Sequence, residues 1–305
     1  MALFDPKVAT LAPPKRVRFV IRKYDPESGR SWWQEHEVET YRGMTVLDAL
    51  LKIKEEQDHS LTLRYSCRMA VCGSCGMTIN GTPRLACQTQ VAQVAREDAP
   101  VVRVEPLYNF KVVKDLLTDF TEFFEKHRRV KPYLIRRDVD EQENPTLEYK
   151  LLPEEYEQFY QYSLCIACGL CVAACPIFAS DTKFLGPQAL SQAYRFVVDP
   201  RDEGYVERLE IVDSIDGVFG CHFAASCSAV CPKEVDPAGA IQRLRSLLLK
   251  YRLGLYKKRI NGVVPPMEAK KERVPLPPEA QPLDGVDVEK LEETPPEIPV
   301  EKLVA

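Results

Sequence analysis

The sequence predicts an α+β protein of two domains followed by an extended tail, and three observations lead to it. Residues 1–108 alternate polar and apolar positions between turn signals, the period of half-buried strands. Residues 109–260 carry helix starts and apolar residues at helical spacing. Residues 261–305 hold nine of the chain's 24 prolines, a density that excludes a long helix or a central strand.

In the first domain, Val17, Phe19 and Ile21 alternate with Arg16, Arg18 and Arg22, which predicts a strand with one face inward. Trp33 to Thr40 pairs with it across the turn-rich segment 25–29. Thr45 and Asp48 form a capping box that opens a helix with Leu47, Leu50, Leu51 and Lys54 in register. Met77 to Ile79 and Arg84 to Ala86 flank Asn80-Gly81, a hairpin signal, and Val101 to Val104 supplies a closing strand. Two strands, a helix, a hairpin and a strand make a small mixed sheet crossed by one helix, a β-grasp ferredoxin-like domain.

The second domain reads as α-helical, like a bacterial ferredoxin enlarged by packed helices. Val112, Val113, Leu116, Leu117, Phe120, Phe123 and Phe124 fall at helical spacing, predicting a helix from 112 to 124. Pro153 with Glu154 and Glu155 opens another, running into Cys165, because proline suits the first turn and acids suit its positive end. Further helices are predicted from Pro187 to Val197 and Tyr205 to Val212. A last one starts behind Asp236-Pro237, with Ile241, Leu244, Leu247, Leu248 and Tyr251 inward. Composition alone reads 261–305 as disordered; the preferred reading is a strap lying along a partner subunit.

A net charge of −4 disfavours nucleic acid as the main partner. No run of about 20 apolar residues is available to span a bilayer, so membrane association goes through a partner or stays peripheral. The N-terminal segment lacks the apolar core of a secretory signal and the amphipathic Arg/Ser character of a transit peptide, which predicts a reducing, cytoplasmic setting.

The chemistry lies in eleven cysteines, an odd count that argues against a disulfide framework in such a setting. Cys67, Cys72, Cys75 and Cys87 are spaced C-x4-C-x2-C-x11-C. Cys165, Cys168, Cys171 and Cys175 are spaced C-x2-C-x2-C-x3-C, followed by Pro176. Cys221, Cys227 and Cys231, followed by Pro232, would repeat the second group if Ala224 were cysteine. Zinc is the rival ligand, since C-x2-C pairs bind it, but three thiolates at x2 spacing suit the corners of an iron–sulfur cubane better than one tetrahedron.

The first group begins like a plant-type [2Fe–2S] site, with a shorter final gap. Gly73 and Gly76 interleave its ligands, allowing positive φ and bringing amide N–H groups toward the sulfurs. In two-cluster ferredoxins the fourth cysteine of each run ligates the other cluster. Applied here, that crossover gives Cys165, Cys168, Cys171 and Cys231 to a [4Fe–4S] cluster. Cys175, Cys221 and Cys227 then hold a [3Fe–4S] cluster, because Ala224 cannot bind a fourth iron. A labile [4Fe–4S] whose open iron takes water or His222 is the alternative.

These three groups, with VVKDLLTDF (112–120), VKPYL (130–134) and CPKEVDPAGAI (231–241), resemble the iron–sulfur subunit of succinate dehydrogenase and fumarate reductase over roughly residues 15 to 255. The resemblance implies a relay between the FAD of a separate flavoprotein subunit and a quinone beside a membrane anchor, itself sometimes haem-bearing. It implies a peripheral place on the cytoplasmic face of the cell membrane, with succinate or fumarate chemistry on the flavoprotein and no catalytic acid, base or nucleophile in this chain. It points to Pro176, His222, Ala224 and Arg245 as quinone-pocket candidates. Ala179 and Ser180 stand where many succinate dehydrogenases carry tryptophans, which tilts the expectation from ubiquinone toward menaquinone. Succinate:quinone oxidoreductase and the reverse quinol:fumarate reductase both remain open, as does service to another flavoenzyme.

Overall fold

The computed structural model describes residues 13–96 and 98–265, and these pack as one compact unit up to Val264. Strands β1 (Arg16–Tyr24) and β2 (Ser31–Glu39) run antiparallel, with Arg16 opposite Glu39 and Tyr24 opposite Ser31. Val17, Phe19 and Ile21 are fully buried, as their alternation requires. Helix α1 (Val46–Glu56) begins at Thr45, whose hydroxyl accepts from the Asp48 amide while the Asp48 carboxylate accepts from the Thr45 amide. It lays Leu47, Leu50 and Ile53 on the sheet.

Strands β3 (Gly76–Ile79) and β4 (Thr82–Leu85) form the hairpin, with Asn80 at φ +48° and Gly81 at φ +78°. That pair of left-handed residues matches the right-handed twist of the strands it joins. Strand β5 (Val101–Glu105) inserts between β1 and β3, parallel to the first and antiparallel to the second, giving the order β2-β1-β5-β3-β4.

The helix expected from 112 to 124 does not form as such. Val112–Lys114 (β6) and Leu117–Thr118 (β7) make a short hairpin, and helix α2 spans only Thr121–Arg129. Asp115 decides this. It is buried at φ +48°, accepts from the amides of Tyr24 and Thr62, and pairs with the buried Lys23 ammonium at 3.1 Å. A buried carboxylate with those partners outweighs helical periodicity, because leaving its charge unpaired would cost several kcal/mol. The run from Pro153 also breaks, into Pro153–Glu157 and Tyr160–Ser163.

Helix α3 (Leu170–Ala173) holds Cys171, the third cysteine of the C-x2-C-x2-C run, and α4 (Pro187–Val198) passes through the interior, packed by α5 (Tyr205–Val212) and α7 (Pro237–Arg252). The short α6 (Ser226–Ala229) belongs to the third cysteine group. Asp236 caps α7 by accepting from the Gly239 amide at 2.9 Å, and Ile241, Leu244 and Leu248 are buried, with Leu247 and Tyr251 half-buried. The two hydrophobic cores meet across Phe110 and Phe120, whose rings stack at 4.5 Å. Strands β8 (Glu148–Tyr149) and β9 (Val263–Val264) pair antiparallel, so the start of the proline-rich segment straps its own chain. The rest of the expected partner strap, from residue 266, lies outside the described residues.

Candidate metal centres

The first cysteine group occupies the exposed loop between α1 and β3 and returns at Cys87, just after β4. All four sulfurs accept backbone N–H groups. Cys67 Sγ accepts from Met69, Val71 and Cys72 at 3.3–3.5 Å, and Cys72 Sγ from Cys67 and Ser74. Cys87 Sγ accepts from Ala70 at 3.3 Å, and Cys75 Sγ from the Cys87 amide at 3.5 Å. Burial raises the Cys72 thiol, but hydrogen bonds from Ser74 and Cys67 outweigh it and bring the group to about 6. Burial dominates at Cys75 and pushes it to about 12. Converging amide dipoles of this kind stabilise bound anionic sulfur and fit an iron–sulfur cluster.

Two roles expected of glycine are redistributed. Gly73 has φ +75°, but Arg68 (+56°) and Ala70 (+59°) also take left-handed conformations. Gly76 is needed for close approach instead: a Cβ there would lie 3.2 Å from the Cys168 carbonyl oxygen. A Cβ at Gly73 would lie 2.8 Å from Cys168 Cβ. The loop of the first group is therefore seated directly on the second.

The remaining seven cysteines sort by cavity rather than by sequence run. Cys165, Cys168, Cys171 and Cys231 line one cavity. Cys175, Cys221 and Cys227 line another, together with Pro176, His222 and Ala224. Each run thus sends its last cysteine to the other's cavity. Among the described residues no three Cys, His, Asp or Glu side chains converge closely enough to share a single metal ion. Thiols that ring a space rather than meet at a point fit a multi-iron group. Burial lifts these thiols, Cys168 to about 12 and Cys227 to about 11, so they bind as thiolates only when a cationic group compensates. Helix α3, which bears Cys171, packs on α6, which bears Cys227, so the two cavities are neighbours.

The two runs repeat each other in backbone conformation. Ala167 (φ +50°) and Gly169 (+78°) flank Cys168, and Phe223 (+58°) and Ala225 (+58°) flank Ala224. The Val172 amide donates to the Gly169 carbonyl and the Ser228 amide to that of Ala225, both at 3.0 Å, where α3 and α6 begin. Ala224 occupies the place of Cys168 in an otherwise preserved loop.

The structure brings Pro176, His222 and Ala224 together but not Arg245. The Arg245 guanidinium donates to the carbonyls of Val218 at 2.6 Å and Cys221 at 2.8 Å, bracing the loop from behind. Three residues were not anticipated. Asn109 donates to the carbonyls of Val172, Ala173 and Cys175, tying the interdomain segment to the cysteine-bearing turn. Gln188 and Ser191 line the first of the two cavities. Their spacing of three, on the inward face of a helix that starts at Pro187, was a signal available in the sequence.

A family model described as "2Fe-2S iron-sulfur cluster binding domain" matches residues 18–125, and one described as "4Fe-4S dicluster domain" matches residues 161–235. The fumarate reductase iron–sulfur subunit of Mycobacterium tuberculosis is 44% identical over 75% of this chain and 92% of its own length. Those of Haemophilus influenzae and Escherichia coli are 41% and 39% identical, over 73% and 76% of this chain and 89% and 93% of theirs. A solved chain of the "Mycobacterium smegmatis Sdh1 complex in the apo form" superposes with a TM-score of 0.71 at 26% identity, covering 79% of this chain and 98% of that one. With both cluster domains in place and relatives matched along nearly their whole length, the chain belongs to the iron–sulfur electron-transfer subunits of the fumarate reductase and succinate dehydrogenase family.

Proposed function

We propose that this chain is the electron relay of a membrane-bound succinate:quinone oxidoreductase, linking the FAD of a flavoprotein subunit to quinone at a membrane anchor. The observation that carries this reading is the succession of three cysteine sets: Gly73 of the first lies against Cys168 of the second, and helix α3, which bears Cys171, packs on α6, which bears Cys227. Cys67, Cys72, Cys75 and Cys87 would hold [2Fe–2S]. Cys165, Cys168, Cys171 and Cys231 would hold [4Fe–4S], and Cys175, Cys221 and Cys227 would hold [3Fe–4S]. Bound there, the clusters supply one-electron transfer between flavin and quinone.

The protein's part is to hold, insulate and tune. Backbone amides at the first loop compensate negative charge on its sulfurs, and apolar walls around the other sets exclude water. Pro176, His222, Phe223, Ala224 and Ala225 form an exposed rim over the third set, and that rim is the proposed quinone side, with Arg245 bracing the Cys221 loop. Among the described residues no helix is long and apolar enough to cross a membrane, and the anchor in this proposal, whether or not haem-bearing, belongs to partner subunits. We assign the subunit to the cytoplasmic face and favour menaquinone, on the strength of Ala179 and Ser180.

Redox-poised EPR of the purified complex tests the ligand sets. The expected outcome is a [3Fe–4S] signal in the oxidised protein and two further centres on reduction. A third centre of [4Fe–4S] type with no oxidised [3Fe–4S] signal would sink the Ala224 assignment. The same relay serves quinol:fumarate reduction, the direction for which the curated relatives are named. Assaying the membrane complex with succinate and, separately, with fumarate plus quinol distinguishes the two.

A further inference from the structure

We infer that Gln188 and Ser191 donate hydrogen bonds to the centre held by Cys165, Cys168, Cys171 and Cys231, and that they set its reduction potential. The inference rests on the ligand set proposed above. Both residues sit on one stripe of α4, within its first turn and a half, and both line the cavity ringed by those four thiols. Gln188 is 3% exposed and Ser191 1%. Neither is explained by partners within the protein. Ser191 Oγ is buried with no hydrogen-bond partner at all. The carboxamide of Gln188 uses only its NH2 end: Nε2 lies 3.1 Å from His127 Nδ1 and 4.0 Å from Cys165 Sγ, while Oε1 has no partner.

Buried polar groups are rarely left unsatisfied in native proteins, and an orphaned hydroxyl facing a cavity marks a missing acceptor. Sulfur in a bound anionic cluster is such an acceptor, and it would use both groups at once. His127 holds the amide in register by taking its second hydrogen, which leaves the first aimed at Cys165. Donors and positive charge favour the more negative, reduced form of a centre and so raise its potential. The helix therefore brings two uncharged donors to a cavity whose lining, cysteines and Lys233 apart, is apolar, and neither donor lines the neighbouring cavity.

Redox-poised EPR on the holo complex tests this with Gln188→Leu, Ser191→Ala and the double variant. The midpoint of the [4Fe–4S] centre should fall in each single variant and fall further in the double one. Ser191→Thr, which keeps the hydroxyl, should restore it toward the unaltered value, and the [2Fe–2S] midpoint should stay put. An unchanged [4Fe–4S] midpoint in the double variant overturns the inference. In the unaltered complex, labelling glutamine side chains with 15N should give a nitrogen coupling to the reduced centre by pulsed EPR, which survives even if a variant fails to assemble; no coupling overturns the role of Gln188. Absence of any [4Fe–4S] signal from the unaltered complex would instead remove the ligand set on which the inference stands.

Discussion

In the proposed ligand sets, Ala224 alone separates two kinds of metal centre. Its loop keeps the positive φ values, the following helical turn and the amide-to-carbonyl bonds of the loop around Cys168, so only a sulfur is missing. Ala224→Cys should therefore supply a fourth ligand without rebuilding the backbone. The expected result is loss of the oxidised [3Fe–4S] signal and appearance of a second reducible [4Fe–4S] centre, with total iron rising by about one atom per chain. At the same scale Arg245 illustrates a charge spent on structure: its bonds to the Val218 and Cys221 carbonyls fix the backbone that bears Cys221.

Among the elements, the loop of the first cysteine group is the most constrained, because it meets both a cluster and a neighbouring domain. Gly73→Ala places a methyl within 2.8 Å of Cys168 Cβ at a residue with φ +75°. The left-handed conformation alone costs on the order of 1–2 kcal/mol for a residue with a Cβ, and here the backbone of Cys168 cannot move aside without disturbing its own ligand set. Iron content and EPR should show reduced occupancy of both the first and second centres. Gly81→Ala is the control, since Gly81 has φ +78° but open space around it. It should cost only the backbone part and leave both centres filled.

At the scale of the whole molecule, buried charges tie distant segments together. Arg208 and Asp202, both fully buried, pair at 2.6 Å, and Arg208 also donates to the carbonyls of Val130, Lys131 and Tyr133. Lys258 joins the segment after α7 to this knot, donating to the carbonyls of Phe196 and Asp202. Burial lowers Lys258 from 10.5 to about 8, with Asp202 and Asp199 pulling the other way. Between pH 8 and 10.5 the unfolded chain then keeps a proton that the folded chain has released, so this residue makes stability rise with pH across that window. The full contribution is about 3 kcal/mol at about 1.4 kcal/mol for each pH unit. Denaturant unfolding at several pH values in that window should show the rise in the native protein and a flatter dependence in Lys258→Met.

The sequence by itself determined the wire. Cysteine spacing marks two iron–sulfur domains and the gap at Ala224 is the ground of the proposed [3Fe–4S] set, while alternation, the Thr45 capping box and Asn80-Gly81 predict the sheet domain, because each of these is a local rule acting over a few residues. It misread 112–124, where periodicity pointed to a helix and the buried Asp115 with its partner Lys23, 92 positions earlier, made a hairpin. It could not place Gln188 and Ser191 in the cavity of Cys165, separate Arg245 from the cavity of Cys221, or see that Gly76 serves a contact with Cys168. Those outcomes depend on which surfaces meet, and burial decides them: a polar or charged group taken from water must find its partner wherever the fold brings one. Only the tertiary structure shows which cysteines share a cavity and in what order the three sets are stacked.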